Sequence, residues 1–220
     1  MSKIPNQQEN VVSKAENFVK DYMSKYDPSH DWAHVDRVRK LALKIANSMS
    51  PKPDLSVVEL AALFHDVTGK YSQPDSPTLA ELLQPVLAGA LSQDQIDSII
   101  LIVPSVSYTA ETSLLASNQW VWQKSCLELH AVQDADRLDA IGAIGILRCA
   151  AYSGATGRPL VETVEIGEES AEAHFEEKLL KVKERMKTSF GKEEAEKRHK
   201  TMINFLMSLQ SEKEILLKEK

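Results

Sequence analysis

The stretch ELAALFHDV at residues 59–67 decides how this chain of 220 residues is read. Leu60, Ala61, Ala62, Leu63 and Phe64 form an apolar run with no clear polar face, the mark of a helix buried on most sides. His65 and Asp66 close that run. Two ionisable side chains at the end of a buried helix are costly unless something pairs with them. A divalent cation is one such partner, since imidazole nitrogen and carboxylate oxygen both ligate it. Ser56 with Glu59 has the spacing of a capping box for the helix start, and Gly69 reads as its stop. A lone His-Asp pair occurs often by chance, so the rest of the chain has to supply further ligands.

Upstream, Val12, Ala15, Phe18, Val19 and Met23 recur at helical spacing and predict a first helix over 11–26, after a loose start at 1–10. Asp27-Pro28-Ser29 breaks it, and Ser29 is the expected cap for a second helix over 31–49. The stripe His34 (or Val35), Val38, Leu41, Ala42, Ile45 and Met49 turns His34 inward, with Arg37 one turn away. Downstream of Lys70, a Ser/Pro/Asp-rich loop covers 71–77. Thr78 with Glu81 reads as a capping box for a helix shortened near Pro85 and ended by Gly89. Ser92 with Gln95 repeats the signal before Ile96, Ile99, Ile100 and Val103, and Pro104 stops that helix. Residues 105–125 read as a loop carrying an exposed or docking pair, Trp120 and Trp122.

The segment LELHAVQDADRLDAIGAIGILRCAAY at 127–152 carries a small-residue stripe at spacings of three and four: Ala131, Ala135, Leu138, Gly142, Gly145 and Cys149. Each glycine inside a helix costs on the order of 1 kcal/mol relative to alanine, and close approach of a neighbouring helix is the expected offset. Two charged helices, over about 170–189 and 192–217, complete the chain, with stripes Phe175, Leu179, Val182, Met186 and Ala195, Met202, Leu206, Leu209.

With 8 Gly and 9 Pro, long helices are favoured and an all-β fold is disfavoured. The reading is a single all-α domain from 11 to 220, its core at about 28–152 and C-terminal helices at about 170–217. A net charge of −6 offers no general basic face for nucleic acid. Two cysteines, a polar start and the lack of any membrane-length apolar segment lead to the expectation of a cytoplasmic protein.

The carboxylate candidates after the His-Asp pair are Asp134, Asp136 and Asp139. Together with His34, His65 and Asp66, one of them would make a mixed nitrogen–oxygen set on three helices. Such a set without thiolate suits Mn²⁺, Mg²⁺ or Fe²⁺, with Zn²⁺ or Co²⁺ as substitutes.

The order H…HD…D resembles the signature of the HD-domain metal-dependent phosphohydrolases. HDWAHVDRV at 30–38, ELAALFHDV at 59–67 and VQDADRLDAIGAIGILR at 132–148 are similar to the small stand-alone members that include nucleoside triphosphate pyrophosphohydrolases. HFEEKLLKVKERM at 174–186 and KRHKTMINFL at 197–206 resemble that branch's C-terminal helices. The resemblance implies an HD-domain helical bundle and one metal held by His34, His65, Asp66 and Asp136. It also implies hydrolysis of (deoxy)nucleoside triphosphates to monophosphate and pyrophosphate through a metal-activated water. A 5′-nucleotidase acting on monophosphates and a non-catalytic nucleotide-binding protein are the alternatives. A di-iron oxygenase would need more histidines than His130 between the HD pair and the final aspartate.

Around the ligands, Arg37, Lys70 and His30 are candidates to neutralise phosphate charge, and Asp66 to take a proton from water. Arg37 has an ion pair with Asp139 or Asp66 as its other reading. Lys178 is a weaker substrate-binding candidate. Asp31 and Asp139 are expected to cap or orient rather than to ligate. The branch often has an aspartate and a tryptophan where this chain has Thr68-Gly69-Lys70, and Ser-Phe-Lys where it has Ser107-Tyr108-Thr109. Its counterpart of 110–124 is usually shorter. These departures bear on the substrate and not on the ligands. The resemblance and the two tryptophans point toward a homodimer.

Overall fold

The structure, a computed structural model, describes residues 7–67, 77–162 and 170–217, and among them every regular element is helical. The α-helices are α1 (Gln7–Met23), α2 (Trp32–Ser48), α3 (Leu55–Phe64), α4 (Leu79–Leu87), α5 (Gln93–Ile102), α6 (Tyr108–Ala116), α7 (Leu127–Asp139), α8 (Gly142–Ala155), α9 (Ala171–Glu177) and α10 (Ser189–Leu217). They form two compact units. One holds the chain up to Tyr26 together with His30–Asp136; the other holds Asp27–Ser29 and the chain from Arg137 onward. Among the described residues no single helix is long and apolar enough to cross a membrane.

In the first unit α3 lies at the centre, against α1, α2 and α5. Val57, Val58 and the run Leu60–Phe64 are all buried, as an apolar helix without a polar face requires. Its cap is Asp54 and not Ser56: the Asp54 carboxylate accepts from the N–H groups of Ser56 and Val57. Glu59 is taken up elsewhere, accepting from Arg39 Nε at 2.9 Å. At the start of α2 the cap is likewise Asp31 rather than Ser29. Both expected boxes on α4 and α5 are present, with Thr78 and Glu81, and Ser92 and Gln95, bonded reciprocally. The expected stop at Gly69 and nearly all of the loop at 71–77 lie outside the described residues.

Residues 105–125 are more ordered than their composition implies. Ser107 caps α6 by accepting from the Ala110 N–H at 3.1 Å. The buried residue of α6 is a glutamate, Glu111, so no apolar period announced the helix. Trp120 is buried and only Trp122 remains partly exposed, which removes half of the proposed docking pair.

The 127–152 segment is two helices, not one. The chain turns at Gly142, whose φ of +76° lies in the left-handed region, and α8 starts there. A Cβ on Gly142 would lie 2.9 Å from the Cβ and Cγ of Arg198, whose Nη1 donates to the Leu138 carbonyl at 2.6 Å. A Cβ on Gly145 would lie 2.3 Å from the Ala140 carbonyl oxygen. The glycines therefore serve a turn and its packing, and the expected close approach of a neighbouring helix is found at Gly142, against Arg198 of α10, but not at Gly145.

In the second unit α8 packs on α9 and α10. The expected helix over 170–189 is shorter: α9 is capped by Ser170 and gives way at Lys178, φ −136°, to a 3₁₀ stretch Leu179–Arg185. The stripe Phe175, Leu179, Val182, Met186 is nonetheless buried throughout. Within α9, His174 Nδ1 lies 3.0 Å from Glu177 Oε2. Burial holds the His174 imidazole below its ordinary value, against the opposing pull of Glu177.

Two outcomes follow from this packing. Gly142→Ala should destabilise the fold by about 2–4 kcal/mol in urea denaturation, because strain at positive φ adds to the clash with Arg198. Gly157→Ala, at φ +70° with nothing within 4 Å of a Cβ, should cost only about 1 kcal/mol. His174 should titrate below 6.5 by NMR, its ordinary value. The unfolded chain then binds a proton that the native state does not, so stability falls as pH drops below that value, and His174→Gln should flatten this part of the profile.

Candidate metal centre

Three helices of the first unit deliver the side chains. On α2, Asp31 is the N-cap, and its Oδ1 accepts from the backbone N–H of His34 at 2.9 Å. The side chain of His34 is buried. His65 follows the last residue of α3 and keeps helical dihedrals. Its Nδ1 lies 2.8 Å from the Ala62 carbonyl. A carbonyl only accepts, so Nδ1 carries a proton, which leaves Nε2 as the ring nitrogen turned toward a cation.

The two Nε2 atoms of His34 and His65 face each other at 3.1 Å. Asp66 Oδ2 is 3.4 Å from His34 Nε2 and 3.6 Å from His65 Nε2. Asp136 Oδ1, from α7, is 3.7 Å from each of them. The ligand atoms of His34, His65 and Asp66 all lie within 4.8 Å of one another. Asp66 Oδ2 is buried and has no hydrogen-bond partner among the described residues. Burial alone would raise the Asp66 pKa, but the imidazoles of His65, His34 and His30 outweigh it and hold the carboxyl well below the usual range.

These residues fit a divalent cation. Two ligand atoms bound at about 2.1 Å are about 3.0 Å apart at a right angle and about 3.4 Å apart at the tetrahedral angle. The imidazole separation of 3.1 Å matches neighbouring corners of an octahedron. An orphaned carboxylate oxygen and an imidazole nitrogen turned inward by its partner on the far side of the ring, both buried, are the donors a cation would satisfy.

Of the three candidate aspartates, Asp134 and Asp139 are buried, and Asp139 lies beside Arg148, with Oδ2 3.4 Å from Nη1. Asp136, with 23% of its side chain exposed, is the one within reach of both histidines. His30 stands at the edge, its ring 6.0 Å from that of His34 in a T-shaped arrangement. Arg37 is half-buried one turn along α2. Lys70 lies outside the described residues, and Lys178 ends α9 in the second unit. His130 is engaged with the Gln123 carbonyl at 2.8 Å. The Ala62 carbonyl that fixes the His65 tautomer is a backbone group, so no residue type in the sequence marked it.

Comparison with known proteins places this geometry in a family. The HD domain pattern matches residues 31–141. The chain is 36% identical over 197 residues to YpgQ of Bacillus subtilis (strain 168), covering 89% of this chain and 90% of that protein. A crystal structure of Bacillus subtilis YpgQ in complex with ADP aligns at a TM-score of 0.73 and 31% identity, over 91% of this chain and 97% of that one. The crystal structure of an HD-superfamily hydrolase from Bacillus thuringiensis aligns at 0.70 and 32% identity, over 94% and 98%. With that match spanning the segment that carries the His-His-Asp cluster, the chain belongs to the HD domain family and is an HD-superfamily hydrolase.

Proposed function

We propose that this protein is a divalent-metal-dependent phosphohydrolase of nucleotides, cleaving (deoxy)nucleoside triphosphates to the monophosphate and pyrophosphate. The observation that carries the reading is the convergence of two buried imidazole nitrogens and an orphaned carboxylate oxygen within 4.8 Å. Support for a nucleotide comes from Bacillus subtilis YpgQ, crystallised with ADP and alike over 91% of this chain. In this reading His34, His65, Asp66 and Asp136 hold the ion, Mn²⁺ or Mg²⁺ being the best match to a nitrogen–oxygen set.

A bound divalent cation supplies Lewis acidity, which acidifies water and polarises a phosphoryl oxygen. The protein's own share is positional and electrostatic. Ala62 fixes the His65 tautomer, and Asp31 fixes the start of the helix that presents His34. Asp66 is also the carboxylate assigned to take a proton from water. His30 and Arg37 flank His34, and with Lys70 they are the cationic groups assigned to the phosphates.

The test is a product analysis. The full chain, stripped with chelator and reloaded with Mn²⁺, is given nucleoside mono-, di- and triphosphates, with phosphate and pyrophosphate quantified separately. Equal amounts of monophosphate and pyrophosphate from triphosphates are expected, with none after chelation. Asp136→Ala should lower turnover by more than about 100-fold, beyond the loss seen for partners outside the ligand set, while helical circular dichroism is kept. Phosphate released from monophosphates would instead make the protein a nucleotidase. No metal-dependent product from any nucleotide would sink the proposal.

A further inference from the structure

None of the roles above uses Arg148, on α8, whose side chain is 13% exposed. Its Nε donates to the carbonyl of Ser29 at 2.8 Å, and its Nη1 lies 3.4 Å from Asp139 Oδ2. We propose that Arg148 is a positioning residue for the metal centre, tying the turn that leads into His34 to the end of the helix that carries Asp136. This rests on the metal-centre reading above.

Each end of the tether is firm. Ser29 is buried at 1% exposure, and its own N–H donates to Asp27 Oδ1 at 2.8 Å, so its peptide groups are fixed on both sides. Two residues later Asp31 caps α2 through the N–H of His34. Asp139 is buried at 2% exposure and follows Asp136 by three residues on the same helix. The contacts of Arg148 therefore fall five residues before one ligand and one helical turn after another. A guanidinium suits this duty, because its planar fork holds two acceptors at a fixed angle where an ammonium is a single point charge. Removing it would leave the Ser29 carbonyl and the Asp139 carboxylate to re-pair. Groups that hydrogen-bond a ligating side chain directly are worth about 10–100-fold in metal affinity, and a tether that acts on two ligands through the backbone belongs at the lower end of that range.

The experiment measures the Kd of the full chain for Mn²⁺, from the electron paramagnetic resonance of the free aquo ion, beside thermal melting and circular dichroism. Arg148→Gln and Asp139→Asn should each weaken Mn²⁺ binding by about 10-fold or more, and Arg148→Lys by less. The double variant should be no weaker than the weaker single one, because both members serve one tether. Phe175→Leu, in the buried stripe of α9, is chosen to lower the melting temperature comparably and should leave the Kd within about twofold. The tether is overturned if folded Arg148→Gln binds within twofold of the parent, if Phe175→Leu weakens binding equally, or if the two tether variants simply add. Should Arg148→Gln not fold, Arg148→Lys and Asp139→Asn decide, and binding by both within twofold of the parent overturns it. His34→Ala separates the two claims. Mn²⁺ binding that survives His34→Ala refutes the metal centre itself, whereas binding lost in His34→Ala but kept in Arg148→Gln refutes the tether alone.

Discussion

Two buried imidazole nitrogens held 3.1 Å apart are the constraint on which the first unit depends. Nothing in an apolar core tolerates that proximity unless the protonation states and ring orientations are fixed. The His65 ring is fixed from behind by Ala62, one turn earlier on α3, which commits its proton to Nδ1. The His34 ring is placed by a helix whose first turn is locked by Asp31. Around these two, the burial of Leu60–Phe64 keeps α3 from sliding, since any displacement would open a cavity in a well-packed core. The carboxylates of Asp66 and Asp136 then complete a ring of donors at 3.4–3.7 Å from the nitrogens.

Most helices were legible because their signals are local. Thr78 with Glu81 and Ser92 with Gln95 act within one turn, so the sequence spacing alone specifies the bonds. The apolar stripe of α2 likewise reads directly from periodicity, and α3 from an unbroken apolar run. What failed did so where a competing partner lay elsewhere. Ser56 and Glu59 have the right spacing for a box, but Asp54 outcompetes the serine and Arg39 draws off the glutamate. The α6 helix hid because it buries a charged residue, Glu111, and no hydrophobic period marks such a face. The α7–α8 break hid because glycine permits both a packed helix and a left-handed turn, and only the Arg198 side chain above Gly142 distinguishes them.

For the centre, His34, His65 and Asp66 stood out as ionisable groups on faces that should be buried. The aspartate of DADRLD could not be chosen from spacing, because Asp136 and Asp139 sit one turn apart on adjoining faces. Resemblance pointed to Asp136, and exposure separates the two in the fold: Asp139 is buried beside Arg148, whereas Asp136 is partly open and within 3.7 Å of both histidines. Arg148 carried no signal of its own. Its acceptors are a backbone carbonyl and a carboxylate reached only after the chain reverses at Gly142, and such pairings have no fixed sequence separation.

The bond from the His34 N–H to Asp31 gives that one residue two attachments, through its backbone to the helix cap and through its ring to His65. The terminal turn of a helix ordinarily frays, and its amides exchange with solvent early. Here fraying at the start of α2 would carry a buried imidazole out of register with its neighbour. The slowness of exchange at the His34 amide thus becomes a local gauge of whether the cluster is intact, readable without substrate or turnover.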